Sequence, residues 1–420
     1  MGRIKQKIVS ISQNKDVRTL ASNFAWLSVL QVVSYIFPLI TMPYLARVIG
    51  TTGFGKIAFA SAIMIWIQTI ADWGFNLTAT RDVAQNRDDK QRVSEIFSNV
   101  LWARCVLMLL SFAVLALLIL FIPQFYENRL VILITFLMIP GHILFPDWFF
   151  QAVERMKYIT LFNVVIKLLF MVAVFVFVKD KDDYILQPLF TSIGYVLCGI
   201  ISLYLIIGKW GVKLHRPTFR GVYTTIKGST NVFINTLVPN LYNSLSIVLL
   251  GVWSGSYATG IFDGGNKFTA ICQQVMDVFS RVFFPFLSRR SDRHIVYVKL
   301  SMVISLVMGV GLFVVAPYIV GLFLSSEFVA SVVVIKLLAL SLPFLALSNS
   351  YGTNYLIVHK RERLLRNITF VSSLIGLSLG LVLIPRYSYI GAAVTILITR
   401  AILGIVTCVA AKKSIKFKEK

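Results

Sequence analysis

The sequence predicts an all-α membrane protein, with about twelve transmembrane helices in two parallel six-helix bundles around a central cavity. Three observations predict this fold class: the composition, the apolar runs along the whole chain, and the alternation of basic loops. Of the 420 residues, 57% are hydrophobic and 14% are charged, and the mean hydropathy is +0.79. Soluble domains carry about 25% charged residues, so this chain has too little ionic surface to stay dissolved in water.

Each predicted helix corresponds to an apolar window of about 20 residues, the length that crosses roughly 30 Å of hydrocarbon. In chain order, predicted helices 1 to 12 cover residues 22–46, 57–80, 96–121, 130–153, 158–178, 185–207, 229–252, 258–287, 297–323, 329–357, 366–384 and 389–411. The longest connection lies near residues 209–227. No loop is therefore long enough to fold as a separate domain.

Basic residues alternate between the predicted loops and fix the orientation. With the N-terminus inside, the cytoplasmic segments hold 29 Lys and Arg residues and the opposite loops hold six. The positive-inside rule then predicts that both termini are cytoplasmic and that the number of helices is even. Most of the net charge of +23 is thereby explained by topology. This argues against nucleic acid as a partner, although basic ends also suit anionic lipid.

A weak internal repeat divides the chain into two halves, residues 1–208 and 209–420. Gly55, near the start of predicted helix 2, and Gly260, near the start of predicted helix 8, are 205 residues apart. The same offset aligns the ends of predicted helices 4 and 10. Six helices in each half make the halves parallel repeats, and such transporters hold their substrate between the repeats near the midplane.

Predicted helix 8 carries a polar stripe that indicates which surface lines the cavity. At 100° per residue, its members fall within about 40° of one face: Asp263, Lys267, Gln274, Asp277 and Arg281. A charge near the bilayer centre costs at least about 2.5–3.5 kcal/mol, so the stripe should face water or substrate. The alternative is mutual neutralisation, since Asp263/Lys267 and Asp277/Arg281 are spaced four residues apart.

Other polar residues lie inside predicted helices. Predicted helix 2 carries Gln68 and Asp72 on one face, and predicted helix 7 carries Asn231 and Asn235. Further intramembrane cations are Lys167, Lys336 and Arg400 near helix middles, and Arg104, which is expected to extend to the cytoplasmic interface. Intramembrane cations outnumber intramembrane aspartates, so the cavity is predicted to be positive and to suit a phosphate or an acidic sugar.

No catalytic, metal or cofactor site is predicted. The four cysteines are scattered singly within apolar runs, and the four histidines form no pair at metal-ligand spacing. The glycines at 50, 53 and 55 lack the G-x-x-x-x-G-K pattern of a phosphate loop. A cleaved signal peptide is not expected, because the first apolar run is long and is followed by no convincing small-residue cleavage site.

Three segments carry a resemblance to a known family. Arg47-Val-Ile-Gly50-x-x-Gly53-Phe-Gly55 and the segment 146–160 (PDWFFQAVERMKYIT) resemble the Wzx-type polysaccharide repeat-unit flippases of the multidrug/oligosaccharidyl-lipid/polysaccharide exporter superfamily. The segment 260–268 (GIFDGGNKF) is similar to the family's equivalent stretch after helix 7. The resemblance covers essentially the whole chain, and segment 146–160 is its most specific marker.

The resemblance implies a transporter of the bacterial inner membrane rather than an enzyme. It implies movement of undecaprenyl-pyrophosphate-linked O-antigen or capsule repeat units from the cytoplasmic to the periplasmic leaflet by alternating access. The implied partners are this lipid-linked oligosaccharide, the bilayer, and the polysaccharide polymerase with its chain-length machinery. No cofactor is implied.

Family members carry cations in the central cavity, and this assigns provisional roles here. Lys267 and Arg281 are expected to hold the anionic headgroup. Sugar hydroxyls are expected to contact Gln68, Asn231, Asn235 and Gln274, and proton coupling is expected to involve Asp72, Asp263 and Asp277.

Two alternatives stay open at this point. The first is a cation-coupled exporter of another lipid-linked polymer precursor or of a drug, although a positive cavity disfavours cationic drugs. The second is a membrane polymerase or glycosyltransferase, and such enzymes usually need a sizeable external loop that carries catalytic groups. The predicted external loops are short, which favours a transporter.

Overall fold

The computed structural model describes residues 15–416, and within this range the regular structure is helical, without strands. The α-helices are α1 (Lys15–Val48), α2 (Gly50–Asp72), α3 (Phe75–Gln85), α4 (Lys90–Phe121), α5 (Pro123–Glu127), α6 (Arg129–Phe136), α7 (Met138–Leu144), α8 (Asp147–Ala152), α9 (Met156–Phe177), α10 (Leu186–Trp210), α11 (Phe219–Leu237), α12 (Ser244–Arg289), α13 (His294–Phe323), α14 (Ser331–Ala339), α15 (Leu342–Leu347) and α16 (Glu362–Lys416). A π-helix covers Ser348–Ile357, and short 3-10 helices cover Lys181–Ile185, Val238–Leu241, Ser291–Arg293 and Ser326–Phe328.

Ten helical segments in residues 15–416 are long and apolar enough to cross a membrane. This confirms the predicted all-α membrane fold, whereas the number twelve stays a prediction. Two of the ten segments contain a break: Gly255 interrupts α12 (φ 78°, ψ −177°) and Ser388 interrupts α16 (φ 51°, ψ −131°). The 55 residues of α16 would extend about 83 Å if straight, far more than a bilayer core. Both breaks lie where the sequence predicts a turn between two helices.

Several predicted helices differ from the observed ones. Predicted helix 7 is divided between α11 and α12 by the 3-10 helix Val238–Leu241, and α11 starts at Phe219, inside the predicted connection 209–227. Predicted helix 2 starts at residue 57, but α2 starts at Gly50, because Gly50 adopts φ 67° and the chain reverses at the α1–α2 turn without a loop. Predicted helix 4 is divided into α6, α7 and α8. Pro146 explains the second division, since proline lacks a backbone N–H and disfavours helical geometry in Phe145 before it.

The two sequence halves meet where the first turns of α2 cross α12. A Cβ atom on Gly55 would overlap the carbonyl oxygen of Ser256, and a Cβ atom on Gly260 would overlap the carbonyl oxygen of Thr51. We call these four residues the glycine seam. The contact is reciprocal, because the 205-residue offset that relates Gly55 to Gly260 also relates Thr51 to Ser256. Only glycine allows the two backbones to approach this closely.

Polar contacts tie the halves together beside the seam. Glu327, between α13 and α14, accepts hydrogen bonds from the backbone N–H of Thr51 (3.1 Å) and from Nζ of Lys181 (2.7 Å). Arg47 Nη2 donates to the carbonyl oxygen of Leu322 at 2.6 Å. We call the first set, Glu327 with Thr51 and Lys181, the Glu327 latch. The seam and the latch close this end of the molecule, which we call the closed end.

The Glu327 latch predicts a pH dependence. The hydrogen bonds from Lys181 and Thr51 hold the pKa of Glu327 below its ordinary value of 4.5. A carboxylate with a lowered folded-state pKa stabilises the protein above its unfolded-state pKa, and this stability is lost as the pH falls through the folded-state value. We expect Glu327→Gln to lower the unfolding temperature at pH 7 and to flatten its decline below about pH 4.5.

Thermal unfolding of the purified protein between pH 3 and 7 checks this expectation. Glu127→Gln is the matched control, because Glu127 is exposed and has no ion pair among the described residues. The same decline in Glu327→Gln as in the wild type would contradict the latch.

At the opposite end, α1 and the last turns of α12 leave much of their surface uncovered. α1 packs chiefly on α9, and only 6% of the residues in its most apolar stretch are buried. Gln274 and Arg281 on α12 are exposed. The N-terminal half contacts α11 here instead, through stacked rings of Trp73 and Phe233 with centroids 3.8 Å apart. A polar face of α12 is thus left uncovered at this end.

Candidate functional site

A cavity of about 310 Å³ lies between α1, α9, α10 and α12. Lys167 on α9 and Lys267 on α12 both line it, so each sequence half contributes one cation. The other polar side chains in its lining are Thr41, Asn163, Gln187, Thr191 and Tyr195. We call this space the lysine cavity. Its charge fits the positive cavity that the sequence predicts.

Lys267 is ion-paired within its own helix but keeps free N–H donors. Its Nζ lies 3.0 Å from Oδ2 of Asp263, one helical turn away, and 4.1 Å from the centroid of the Phe54 ring. The neutralisation alternative therefore holds for this pair. An ammonium has three N–H donors, and the described residues offer Lys267 no further hydrogen-bond partner. The side chain is 42% exposed, so a ligand can reach it.

Lys167 has no carboxylate partner among the described residues. Its Nζ donates to the hydroxyl oxygen of Ser34 at 2.6 Å, and the side chain is half-buried. A hydroxyl satisfies one donor and leaves the charge uncompensated. Lys167 is thus a net positive charge in the wall of the lysine cavity.

The remaining stripe residues of α12 lie farther along the helix. Lys267 and Arg281 are fourteen residues apart, a rise of about 21 Å, so a single diphosphate contacts one of them at a time. Asp277 does not pair with Arg281, because its Oδ1 accepts from Nδ2 of Asn349 at 2.9 Å. The neutralisation alternative is wrong for this pair, and Arg281 is exposed without a carboxylate partner in the described range.

A buried polar cluster in the N-terminal half contains two of the predicted site residues. Asp72 forms an ion pair with Arg104, which is 1% exposed, and its Oδ2 lies 3.6 Å from Nε2 of His142. Gln68 Nε2 lies 2.8 Å from the same histidine nitrogen. The expectation that Arg104 extends to the interface is wrong, because its ion pair holds it inside. His142 received no role from the sequence, since it lies in an apolar run without a spaced partner.

An equivalent cluster lies in the C-terminal half. Arg400, 6% exposed, donates to Oε1 of Gln273 at 2.7 Å and to Oγ of Ser341 at 3.0 Å. The offset of 205 relates Gln68 to Gln273 and Asp72 to Asp277. Sequence reasoning missed Gln273, although this offset applied to Gln68 identifies it. Each half thus holds Gln-x-x-x-Asp beside a buried arginine.

The other predicted site residues are not gathered into one place. Gln68 and Asp72 border a second cavity of about 310 Å³ between α2, α3 and α11. Asn231 is exposed on α11, and the side chain of Asn235 lies outside the described part of the structure. Lys336 Nζ lies 5.2 Å from the centroid of the Phe313 ring, away from the lysine cavity. Among the described residues, no group of His, Cys, Asp and Glu side chains has the arrangement of a metal site.

The chain is similar to known proteins over nearly its whole length. A family model described as "Polysaccharide biosynthesis protein" matches residues 20–291. A protein of Escherichia coli (strain K12) with the name "Putative O-antigen transporter" is 28% identical over 399 residues, covering 93% of this chain and 96% of that protein. A Shigella dysenteriae protein of the same name is 23% identical, covering 91% and 98%.

Solved structures share the fold. The structure described as "Lipid II flippase MurJ, inward closed conformation" has a TM-score of 0.76 at 15% identity and covers 92% of this chain and 87% of its own. The structure described as "Crystal structure of MATE in the straight conformation" has a TM-score of 0.57 at 11% identity, with coverage of 96% and 97%. At these identities the similarity concerns the fold alone.

Proposed function

The chain belongs to the polysaccharide biosynthesis protein family, and from this premise we propose that it is a flippase for lipid-linked oligosaccharides. It moves undecaprenyl-pyrophosphate-linked O-antigen or capsule repeat units from the cytoplasmic to the periplasmic leaflet by alternating access. The observation that carries the proposal is the lysine cavity, which lies between the closed end and an uncovered polar face of α12. The two relatives named as O-antigen transporters support the substrate class.

The orientation follows from the basic loops. The positive-inside rule assigns the closed end to the periplasm and both termini to the cytoplasm of a cell with this protein in its inner membrane. The described conformation then accepts a substrate from inside. Residues 1–208 and 209–420 are the two units that move relative to each other. The axis that relates the two units passes through the glycine seam, where residues separated by the 205-residue offset meet.

The proposed transport removes a large desolvation cost. A diphosphate and sugar hydroxyls cannot enter hydrocarbon without replacement hydrogen bonds. Arg281 meets the headgroup near the cytoplasmic end, and Lys267 receives it about 21 Å deeper. Sugar hydroxyls contact the amides of Gln68, Asn231, Asn235 and Gln274. The lipid tail stays in the bilayer through the gap between α1 and α12.

Carboxylates provide the proposed coupling of transport to protons. Asp263 is ion-paired with Lys267, so an arriving diphosphate competes with this carboxylate, which then takes up a proton. Asp72 and Asp277 are the equivalent candidates in the two polar clusters. On release, the repeat unit passes to the polysaccharide polymerase and its chain-length machinery.

A leaflet assay tests the proposed function. Depleting the protein in its host should leave single repeat units on the cytoplasmic face, measured in sealed right-side-out and inverted vesicles. Units that instead accumulate unpolymerised on the periplasmic face would favour the polymerase alternative and overturn the flippase proposal.

Substitutions at the two α12 cations test the route. We expect Lys267→Gln and Arg281→Gln each to reduce transport about tenfold or more, because each removes a charge-assisted hydrogen bond to the headgroup. Transport is measured by repeat units reaching the periplasmic face, with membrane yield as a check on insertion. Arg289→Gln, at the end of the same helix outside the stripe, is the control. Full transport in both variants would remove these residues from the site.

A further inference from the structure

We propose that Lys167 and Lys267 together form a two-sided site for the diphosphate of the lipid-linked sugar, with one cation from each sequence half. This inference rests on the proposed function and deepens it, because it locates the diphosphate in the lysine cavity. Sequence reasoning treated Lys167 only as a further intramembrane cation. The structure places it in the same cavity as Lys267.

The two cations come from different halves of the chain. Lys167 projects from α9 of the N-terminal half, and Lys267 projects from α12 of the C-terminal half. A diphosphate has two phosphoryl groups, and a lysine ammonium is a common phosphate ligand. A ligand that bridges the two side chains therefore also links the two halves. Occupancy of the site by this ligand then depends on how the two halves are arranged, and alternating access requires this dependence.

The lysine cavity has more ammonium groups than carboxylates in its wall. Lys167 has only the Ser34 hydroxyl as a described partner. The Asp263 carboxylate pairs with Lys267 and with no other described cation. Two ammonium groups thus face one carboxylate in a partly enclosed, membrane-embedded space. Uncompensated charge in this environment is costly, and an anion in the cavity relieves it.

The lining of the lysine cavity differs between its walls. The α9 and α10 walls present the amides of Asn163 and Gln187, whose N–H groups suit the oxygens of a phosphate or of a first sugar. The α1 wall presents mainly apolar side chains, Phe37, Pro38, Met42 and Leu45, and the Thr41 hydroxyl on this wall donates to the carbonyl oxygen of Phe37. Pro38 is exposed, so the cavity reaches the outer surface of α1 at this wall. An amphiphile with an anionic head and an isoprenoid tail matches this arrangement.

The other buried cations do not fit the same role. Arg400 is engaged by Gln273 and Ser341, and Arg104 is paired with Asp72. Lys336 lies over Phe313 and does not line the cavity. Lys336 is consequently the matched control for Lys167, since both are lysines within apolar helices.

Binding to the purified full-length protein tests the site. The probes are undecaprenyl diphosphate, undecaprenyl monophosphate and inorganic pyrophosphate. We expect Lys167→Gln to weaken undecaprenyl diphosphate binding about tenfold or more, Lys167→Arg to retain most of it, and Lys336→Gln to leave it unchanged. Wild-type protein should bind the monophosphate more weakly than the diphosphate. Size-exclusion behaviour of each variant confirms that it is folded.

Several results would overturn the inference. Equal binding by folded Lys167→Gln and the wild type would remove Lys167 from the site. Inorganic pyrophosphate binding as tightly as the lipid would assign the cavity to a free anion instead. In the leaflet assay, normal flipping by both wild type and Lys167→Gln overturns this inference alone, whereas absence of flipping by the wild type overturns the proposed function itself.

Discussion

Alanine at Gly55 or Gly260 is expected to prevent the closed end from forming and to reduce transport by about tenfold or more. Each added Cβ would overlap a backbone carbonyl oxygen of the opposite half, on Ser256 or Thr51. Backbone atoms cannot rotate away as a side chain can, so the helices must separate. Overpacking costs about 1–3 kcal/mol in ordinary cores, enough to shift a two-state equilibrium roughly tenfold or more.

The separation can be measured directly. Spin labels at Glu127 and Tyr387, both exposed near the closed end, should report longer distances in Gly55→Ala and Gly260→Ala than in the parent protein. Gly311→Ala is the matched control, because a Cβ there meets open space. Unchanged distances and normal transport in both seam variants would show that the seam does not control closure.

The second large effect is expected at the buried ion pair of the N-terminal half. Asp72→Ala should destabilise the protein by about 3–5 kcal/mol, because removal of one partner leaves a buried charge uncompensated. Arg104 is 1% exposed, and its Nε and Nη1 atoms already lack hydrogen-bond partners. The arginine therefore has no other group in contact that neutralises it.

Unfolding of purified protein by denaturant or heat measures this loss. Asp82→Ala is the control, since its pair with Arg81 is solvent-exposed and should be worth about 0–1 kcal/mol. The double variant Asp72→Leu/Arg104→Leu should recover much of the stability, because replacing both partners with apolar side chains is often neutral. A loss in Asp72→Ala no greater than in Asp82→Ala would contradict a structural role for this pair.

Much of the fold was predictable from the sequence, because a bilayer imposes local requirements. An apolar run of the right length must be helical to satisfy its backbone in hydrocarbon, and basic residues between runs set the orientation. The breaks at Gly255 and Ser388 lie at predicted turns for this reason. The start of α2 and the division of predicted helix 4 were missed, since both depend on single residues, Gly50 and Pro146. The division of predicted helix 7 by the 3-10 helix Val238–Leu241 was also missed, because the apolar window of this helix runs across the break.

The candidate site was predictable only in part. The polar stripe on α12 was found from periodicity along one helix, and Gln274 and Arg281 of this stripe are exposed, whereas its role in the cavity stays a prediction. Periodicity does not say which helix faces the stripe. The lysine cavity needed Lys167 from α9, which the sequence indicated only as an isolated intramembrane charge.

The sequence by itself determined the fold class and many of the approximate helices, because hydrophobicity and length are properties of the chain alone. It also supplied the 205-residue spacing of Gly55 and Gly260. Only the tertiary structure decided which polar groups meet. Asp72 pairs with Arg104, 32 residues away, and Asp277 contacts Asn349 rather than Arg281 on its own helix. The physical reason is that partners are set by the rotation and crossing of packed helices, which depend on side-chain packing along whole interfaces rather than on local spacing.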